Sequence, residues 1–251
     1  MNAAFVFLLV VAFFFTAVIS VVTGGTSLIT VPVMMQCGMN PHVAVATNML
    51  ALIFLSLGGT VPFIKGQAIP RKRLPVLTSL TVVGSTLGAF LLLAVPSRNM
   101  PIVIAVAMLV VLLFSLVKRD MGVSKAPDSS SRSLEIAGYI ATFALGVYGG
   151  FFSGGYVALL TIAYVFFFRM TFTEAVAVTK VLNFFSSLIA TAIFAWQGII
   201  DWRLGFLLSA VSFAGAVLGA TFARRMSDLW LRRVFLTTVV VLTVKLFYDW
   251  A

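Results

Sequence analysis

Residues 21–32, VVTGGTSLITVP, decide how the first part of this chain folds. They interrupt an apolar run that extends from Ala3 to Cys37, and they place the glycine pair Gly24-Gly25 and several hydroxyl side chains in its middle. Glycine weakens a helix by about 1 kcal/mol per residue relative to alanine. The stretch therefore predicts one helix that ends near the glycines and a shorter helix that begins just after them.

The composition identifies the class of protein. Hydrophobic residues make up 61% of the 251 residues and charged residues only 10%, whereas soluble domains contain about 25% charged residues. Apolar runs that approach or exceed the roughly 20 residues of a membrane-spanning helix cover residues 3–22, 43–64, 74–95, 100–117, 134–152, 174–196, 204–223 and 229–248. Two shorter runs cover residues 26–37 and 156–168. We expect an all-α integral membrane protein with about 8 full transmembrane helices and two short broken or re-entrant helices that open at glycine pairs.

The two halves of the chain resemble each other. The pair Gly24-Gly25 returns as Gly154-Gly155, and VAVATNML at 43–50 returns as AVAVTKVL at 175–182, an offset of about 130 residues. Transporters are commonly built from two such repeats. We therefore predict a first transmembrane repeat at residues 1–117, a polar linker at 118–133 and a second transmembrane repeat at 134–251.

The positive charges predict how the repeats are oriented, because cytoplasmic loops of membrane proteins collect Lys and Arg. We assume that each short run either crosses the membrane or returns with its preceding helix. One face then carries Lys65, Arg71, Lys72, Arg73, Lys118, Arg119, Lys125, Arg132, Arg169, Arg224, Arg225, Arg232 and Arg233, and the other carries Arg98, Arg203 and Lys245. This bias predicts inverted repeats with a cytoplasmic linker and both termini outside. It also accounts for much of the net charge of +10, so no nucleic-acid partner is expected.

The glycine pairs are candidate binding sites. A broken helix in lipid leaves backbone N–H and C=O groups without partners unless protein or water covers them. Hydroxyl groups and glycine amides provide such cover, and at the start of a helix they also bind anions. Close packing of helices is the alternative explanation for the glycines. The candidate residues at the two breaks are Thr23, Gly24, Gly25, Thr26, Ser27, Ser153, Gly154 and Gly155.

Lys180 is the charged residue deepest in a predicted helix. It lies seven residues into the helix that begins at Thr173, and ionisable groups at such positions usually face a cavity or a partner. We predict that Lys180 contacts an anion; an ion pair with Glu174 or another carboxylate, and snorkelling to the membrane surface, are the alternatives. The neighbouring candidates, on the same helix or at equivalent positions in the first repeat, are Thr179, Asn183, Thr47 and Asn48.

Other chemistry is not indicated. The acidic residues, at or near predicted loops, are Asp120, Asp128, Glu135, Glu174, Asp201, Asp228 and Asp249, so the predicted spans offer no carboxylate relay for protons. We recognise no motif for a metal, a cofactor or catalysis. We therefore expect no bound metal, no cofactor and no enzymatic activity. The small-residue pairs Gly84 with Gly88 and Gly215 with Gly219 are typical of helix packing.

The motifs resemble one family. TGGTSLITVP with AVATNML, GGFFSGGYVALL with AVTKVLNFFSS, and WQGIIDWR are similar to the sulfite exporter TauE/SafE family, also called the toluene sulfonate uptake permease family. The resemblance covers nearly the whole chain. It implies a bacterial inner-membrane permease for a sulfur-containing anion such as sulfite, sulfoacetate, thiosulfate or a sulfonate.

The residues and the resemblance together predict an exporter of small sulfur-containing anions. The anion would bind at the membrane midplane between the repeats, which would move against each other in alternating access. The lipid bilayer is the expected partner, and the small-residue faces permit a homodimer. An anion channel and a non-transporting membrane scaffold or assembly factor are the alternative functions.

Overall fold

The computed structural model of the protein describes residues 3–65, 73–107 and 132–225, without the side chains of residues 22–23, 61–65 and 223–225. Within these ranges the fold consists of helices and the turns between them. The long helices are α1 (Ala3–Thr23), α3 (Pro41–Lys65), α4 (Leu74–Ala94), α6 (Arg132–Phe151), α8 (Phe172–Trp196) and α9 (Trp202–Arg225). The short ones are α2 (Thr26–Gln36), α7 (Tyr156–Phe167) and α5, whose described part covers residues 100–107.

Six described helices are long and apolar enough to cross a membrane, and they correspond to six of the eight predicted spans. Of the other two, the span at 100–117 is described only as far as residue 107, and the span at 229–248 lies outside the described residues. The all-α membrane architecture is confirmed, whereas the full set of eight spans stays a prediction.

The two short apolar helices begin directly after the glycine pairs, as predicted. With 11 residues in α2 and 12 in α7, each extends about 17 Å at 1.5 Å per residue. The hydrocarbon core of a bilayer is about 30 Å thick. Neither helix therefore crosses the membrane alone, which fits their interpretation as broken or re-entrant elements.

Helices α3 and α8 form the centre of the bundle. They are the most buried of the long helices, and they pack against each other, α3 also against α9 and α8 also against α4. The outer helices α1, α4, α6 and α9 expose large apolar side chains, among them Phe15, Phe90, Ile140 and Phe222. This distribution is the one expected when lipid, rather than water, surrounds the bundle.

The helix packing is similar for the two halves of the chain. Replacing α1, α2, α3 and α4 by α6, α7, α8 and α9 converts most packed pairs into other packed pairs: α1 with α9 becomes α6 with α4, and α3 with α9 becomes α8 with α4. The pairs α1 with α2 and α2 with α3 likewise become α6 with α7 and α7 with α8. The two similar halves of the sequence thus occupy equivalent positions in the bundle.

The small-residue pairs serve this packing, which confirms their predicted role. A Cβ atom on Gly84 would lie 2.6 Å from the carbonyl oxygen of Phe143 in α6, and one on Gly215 would lie 2.7 Å from that of Phe14 in α1. Cβ atoms on Gly88 and Gly219, one turn further on, would also overlap with backbone carbonyls of α6 and α1. Larger residues at these positions would separate the helices.

Candidate functional site

The first glycine break forms because Gly24 adopts a left-handed conformation. Its φ is +66°, a region that glycine enters without a Cβ penalty, and its N–H donates to the carbonyl of Ser20 at 2.8 Å. This is an αL termination of α1. Gly25 is then the N-cap residue of α2, so the chain restarts as a helix within two residues.

The second break contains two left-handed residues rather than one. Ser153 has a φ of +64° and Gly155, the N-cap of α7, a φ of +74°. A non-glycine residue in this region costs about 1–3 kcal/mol and is most often found at functional sites. The hydroxyl of Tyr148 donates to the carbonyl of Gly154, which satisfies one backbone acceptor that the break exposes.

The two breaks meet in the fold. A Cβ atom on Gly24 would lie 2.6 Å from Cβ of Val157 and 2.7 Å from the backbone nitrogen of Ala158, both in the first turn of α7. The backbone of the first break therefore lies directly against the start of the second short helix. This contact joins residues about 130 positions apart in the sequence.

A small cavity lies beside this contact. Its polar lining comes from both breaks, α2 and α8, and consists of Gly24, Thr26, Ser27, Ser153, Lys180 and Asn183. Its apolar lining is Leu52 and Leu55 of α3 and Val157 of α7. The cavity volume that the centre of a water molecule can occupy is about 10 Å³. This is close to the volume that a single water molecule needs.

Lys180 is buried at this cavity, with 1% of its surface exposed. Its Nζ donates to the carbonyl oxygen of Ser20 at 3.0 Å, and its aliphatic stem lies beside Gly59. An ammonium group has three N–H donors. Among the described residues one of these has a partner, so the others are available to a ligand in the cavity.

The structure contradicts an ion pair between Lys180 and Glu174, and it contradicts snorkelling. The carboxylate of Glu174 accepts from the backbone N–H of Thr171 at 2.8 Å in a capping box, and within the described ranges no carboxylate forms an ion pair with Lys180. Snorkelling is wrong because the ammonium group lies inside the protein against α1. Lys180 is thus a buried basic residue whose described partner is a neutral carbonyl.

Asn183 connects the second break to the central helix α3. Its Nδ2 donates to Oγ of Ser56 at 2.7 Å, and its Oδ1 accepts from Oγ of Ser153 at 3.3 Å. All three side chains are buried. This chain of hydrogen bonds orients Ser153 at the edge of the cavity and holds α8 against α3.

Asn48 lies behind the cavity and does not line it. Its Nδ2 donates to Oγ of Ser27 at 2.9 Å, and its Oδ1 accepts from Oγ1 of Thr30 at 2.7 Å. Because Ser27 accepts from Asn48, its own hydroxyl proton is free to point into the cavity. Asn48 therefore orients a lining residue of α2, as Asn183 orients Ser153.

Five further predicted residues do not line the cavity, namely Gly25, Thr47, Gly154, Gly155 and Thr179. Oγ1 of Thr47 accepts from the backbone N–H of Asp201 at 3.1 Å, and Oγ1 of Thr179 donates to the carbonyl of Val176 at 3.0 Å. Neither threonine lines the cavity, and nor do Gly154 and Gly155, which shape the second break. The side chain of Thr23, also predicted, lies outside the described part of the chain.

Three contributing residues were not predicted, namely Ser20, Thr30 and Ser56. The spacing of Thr30 from Thr26 is one helical turn, which is a sequence signal for a shared face of α2. Ser20 contributes only its backbone carbonyl, and Ser56 is an isolated hydroxyl in an apolar run. For these two, we find no signal in the sequence.

The site is electropositive. The first turns of α2 and α7 both lie at the cavity, and helix N-termini carry partial positive charge and unpaired N–H groups. Lys180 adds an amine between them, which carries a full positive charge when it is protonated. The arrangement is suited to an anion with several oxygen acceptors.

A bundle with six helices long and apolar enough to span a bilayer, and with a buried cation at its centre, defines a multi-pass membrane protein. The chain belongs to the sulfite exporter TauE/SafE family, whose model matches residues 9–246. This match confirms the resemblance inferred from the sequence motifs.

Similar proteins have transporter names. The chain is 28% identical over 237 residues to a Haemophilus influenzae protein named as a probable membrane transporter protein, with 94% of this chain and 92% of the relative covered. It is 27% identical over 229 residues to the probable membrane transporter protein YfcA of Escherichia coli, covering 91% and 84%. It is 22% identical over 268 residues to the probable membrane transporter protein YunE of Bacillus subtilis, covering 98% of both chains. No solved structure matches the chain.

Proposed function

We propose that this protein is a membrane transporter of small sulfur-containing anions, such as sulfite, sulfoacetate or sulfonates, which bind at the cavity between the two glycine breaks. The observation that carries the proposal is Lys180, buried without a described carboxylate partner at a cavity that two helix N-termini also face. Burial of a charge is costly unless a partner compensates it. A bound anion would supply that partner. The family membership and the transporter names of the relatives support the same function.

The described conformation is closed to such a ligand. A space for one water molecule is too small for an oxyanion with three or four oxygen atoms around sulfur. Binding therefore requires the helices around the cavity to separate. A carrier that alternates between states needs such an occluded state, whereas an open pore would show a continuous path.

We propose that the moving parts are two inverted repeats, 1–117 and 134–251, joined by a cytoplasmic linker at 118–133. The equivalent packing of α1 to α4 and α6 to α9 supports the repeats, and the distribution of Lys and Arg supports their inversion. Broken helices that meet at the interface of two such repeats are a common construction of secondary transporters. Their relative movement would expose the cavity first to one side and then to the other.

We further propose export across the bacterial inner membrane, with both termini outside. The cytoplasm is electrically negative, so the outward movement of one negative charge releases about 2.3 kcal/mol per 100 mV. In the described part of the chain the carboxylates lie at the starts of α6 and α8 and just before α9, at Glu135, Glu174 and Asp201. None of them lines the cavity. Efflux driven by the membrane potential has no need of a carboxylate relay.

The binding test compares the wild type with Lys180→Met and with Ser79→Ala as a matched control. Ser79 is exposed on α4 and bonds only to the carbonyl of Pro75. We expect sulfite or another sulfur oxyanion to raise the unfolding temperature of the wild type and the control, but not of Lys180→Met. A ligand at 100 times its Kd stabilises a protein by about 2.7 kcal/mol, and the lost charged hydrogen bonds should weaken binding about 10-fold to 100-fold.

The variant Lys180→Met should fold, because methionine has a similar shape and no charge to bury. The carbonyl of Ser20 keeps its bond from the N–H of Gly24, so the substitution leaves no unpaired acceptor. Equal stabilisation of all three proteins would show that Lys180 is not part of the binding site. No stabilisation of the wild type by any of the anions would overturn the proposed function.

Transport in proteoliposomes tests the mechanism. A carrier shows counterflow, in which an excess of unlabelled anion inside accelerates the entry of labelled anion. A channel gives faster flux without counterflow, and a scaffold gives no flux in any condition. Flux that requires an inward proton gradient would contradict export driven by the membrane potential alone.

A further inference from the structure

The described lining of the cavity contains a basic side chain and no acidic one. Of the residues that line it, Lys180 is the ionisable one, and the described residues place no carboxylate against its ammonium group. The first turns of α2 and α7 add partial positive charge. A negative group on a ligand is therefore attracted by Lys180 and by these helix starts, whereas a positive group meets neutral carbonyl oxygens such as that of Ser20 but no described carboxylate.

Several hydrogen-bond acceptors near the ammonium group already have donors. The carbonyl of Ser20 accepts from Nζ of Lys180 and from the N–H of Gly24. Oδ1 of Asn183 accepts from Ser153, and Oγ of Ser27 accepts from Asn48. A ligand ammonium group requires up to three acceptors, and those that remain in this lining, such as the hydroxyls of Thr26 and Ser153, are all neutral.

The rest of the lining is apolar. Leu52, Leu55 and Val157 form the part of the wall that carries no polar side chain. A ligand whose oxyanion group contacts Lys180 would direct the remainder of its structure toward these residues. An alkyl group is well accommodated there, whereas a charged amine would be buried without a partner.

We infer that this site selects oxyanions that carry no positive charge, and that it rejects zwitterionic amino-sulfonates even when the sulfonate group is the same. The inference rests on the proposed function and deepens it by naming the substrate class. Two like charges about 6 Å apart at an effective dielectric constant near 20 repel enough to weaken binding about 100-fold. The discrimination should therefore be about two orders of magnitude in Kd.

The test uses two ligands that differ in one group. Isethionate is 2-hydroxyethanesulfonate and taurine is 2-aminoethanesulfonate, so they share the chain length and the sulfonate group. At pH 7 isethionate carries a neutral hydroxyl group where taurine carries a positively charged ammonium group. Their Kd values are measured by calorimetry on the full-length protein in detergent, with sulfite as a third ligand. We expect isethionate to bind about 100-fold more tightly than taurine, and the ratio to fall toward 1 in Lys180→Gln.

The outcomes separate this inference from the proposed function. Equal binding of isethionate and taurine to the wild type would overturn the inference and leave the anion site in place. Binding of sulfite with neither organic sulfonate would also overturn it. An unchanged ratio in Lys180→Gln would show that Lys180 is not the source of the discrimination. Failure of all three ligands to bind would overturn the proposed function itself.

Discussion

Gly24→Ala should destabilise the protein far more than the same change at another left-handed glycine. Gly24 has a φ of +66°, and a Cβ atom there would lie 2.6 Å from Cβ of Val157 and 2.7 Å from the backbone nitrogen of Ala158. The substitution thus imposes both backbone strain and overlap with the first turn of α7. It perturbs the point at which the two glycine breaks meet.

Gly198 is the matched control, because it separates these two effects. Its φ of +68° is nearly the same, but a Cβ atom there would meet no atom within 4 Å. A left-handed conformation costs a residue with a Cβ about 1–2 kcal/mol, so Gly198→Ala should lose that amount. Overpacking adds about 1–3 kcal/mol, so Gly24→Ala should lose about 2–5 kcal/mol in total.

The assay is equilibrium unfolding in mixed detergent micelles, together with anion binding to the folded fraction. We expect Gly24→Ala to unfold at lower denaturant concentration than Gly198→Ala and to bind the anion more weakly, because the cavity wall must move. Equal destabilisation by the two substitutions would refute the close contact between the breaks. Normal anion binding by a destabilised Gly24→Ala would refute the placement of the site beside that contact.

Two further substitutions test the supports of the site and its surroundings. Asn48→Ala leaves the buried hydroxyl of Ser27 without its donor, while Thr30 keeps the carbonyl of Thr26 as an acceptor. We expect a loss of about 1–3 kcal/mol in stability and weaker anion binding; unchanged values for both in unfolding and calorimetry would refute its role in orienting Ser27. Arg73→Gln breaks the 3.0 Å ion pair with Glu135, but because both side chains are about one third exposed we expect a loss below about 1 kcal/mol that shrinks in high salt. A loss of several kcal/mol, independent of salt, would contradict that estimate.

Much of the fold was predictable because its signals are local. Apolar length alone identifies a helix that spans a bilayer, and the glycine pairs mark the points where α1 and α6 end and the short helices begin. The repeat in the sequence predicted that both halves would pack alike. How the halves interlock, with α4 on α6 and α9 on α1, depends on the fit between helix surfaces, and periodicity carries no information about that fit.

The site was predictable only in part, for a similar reason. Lys180, Asn183 and the first break stand out because polar residues and glycines are unusual in an apolar helix. The partners of the two side chains, Ser20 and Ser56, are 160 and 127 residues distant along the chain. Thr179 was selected because it neighbours Lys180 in sequence, and Thr47 because it occupies the equivalent position in the first half of the chain. Adjacent residues on a helix point about 100° apart, so neighbours of lining residues face other helices.

The contact between Lys180 and Ser20 suggests how the bound anion would act on the fold. In the closed state one carbonyl at the end of α1 accepts both from Lys180 and from the N–H of Gly24, so it links α8 to the first break. Under the proposed function, an anion in the cavity competes with that carbonyl for the ammonium group, and a full negative charge is the stronger acceptor. Binding would then weaken the link between α8 and α1, which belong to different repeats. The residue that recognises the ligand would thus also form one of the contacts between the two proposed repeats when the ligand is absent.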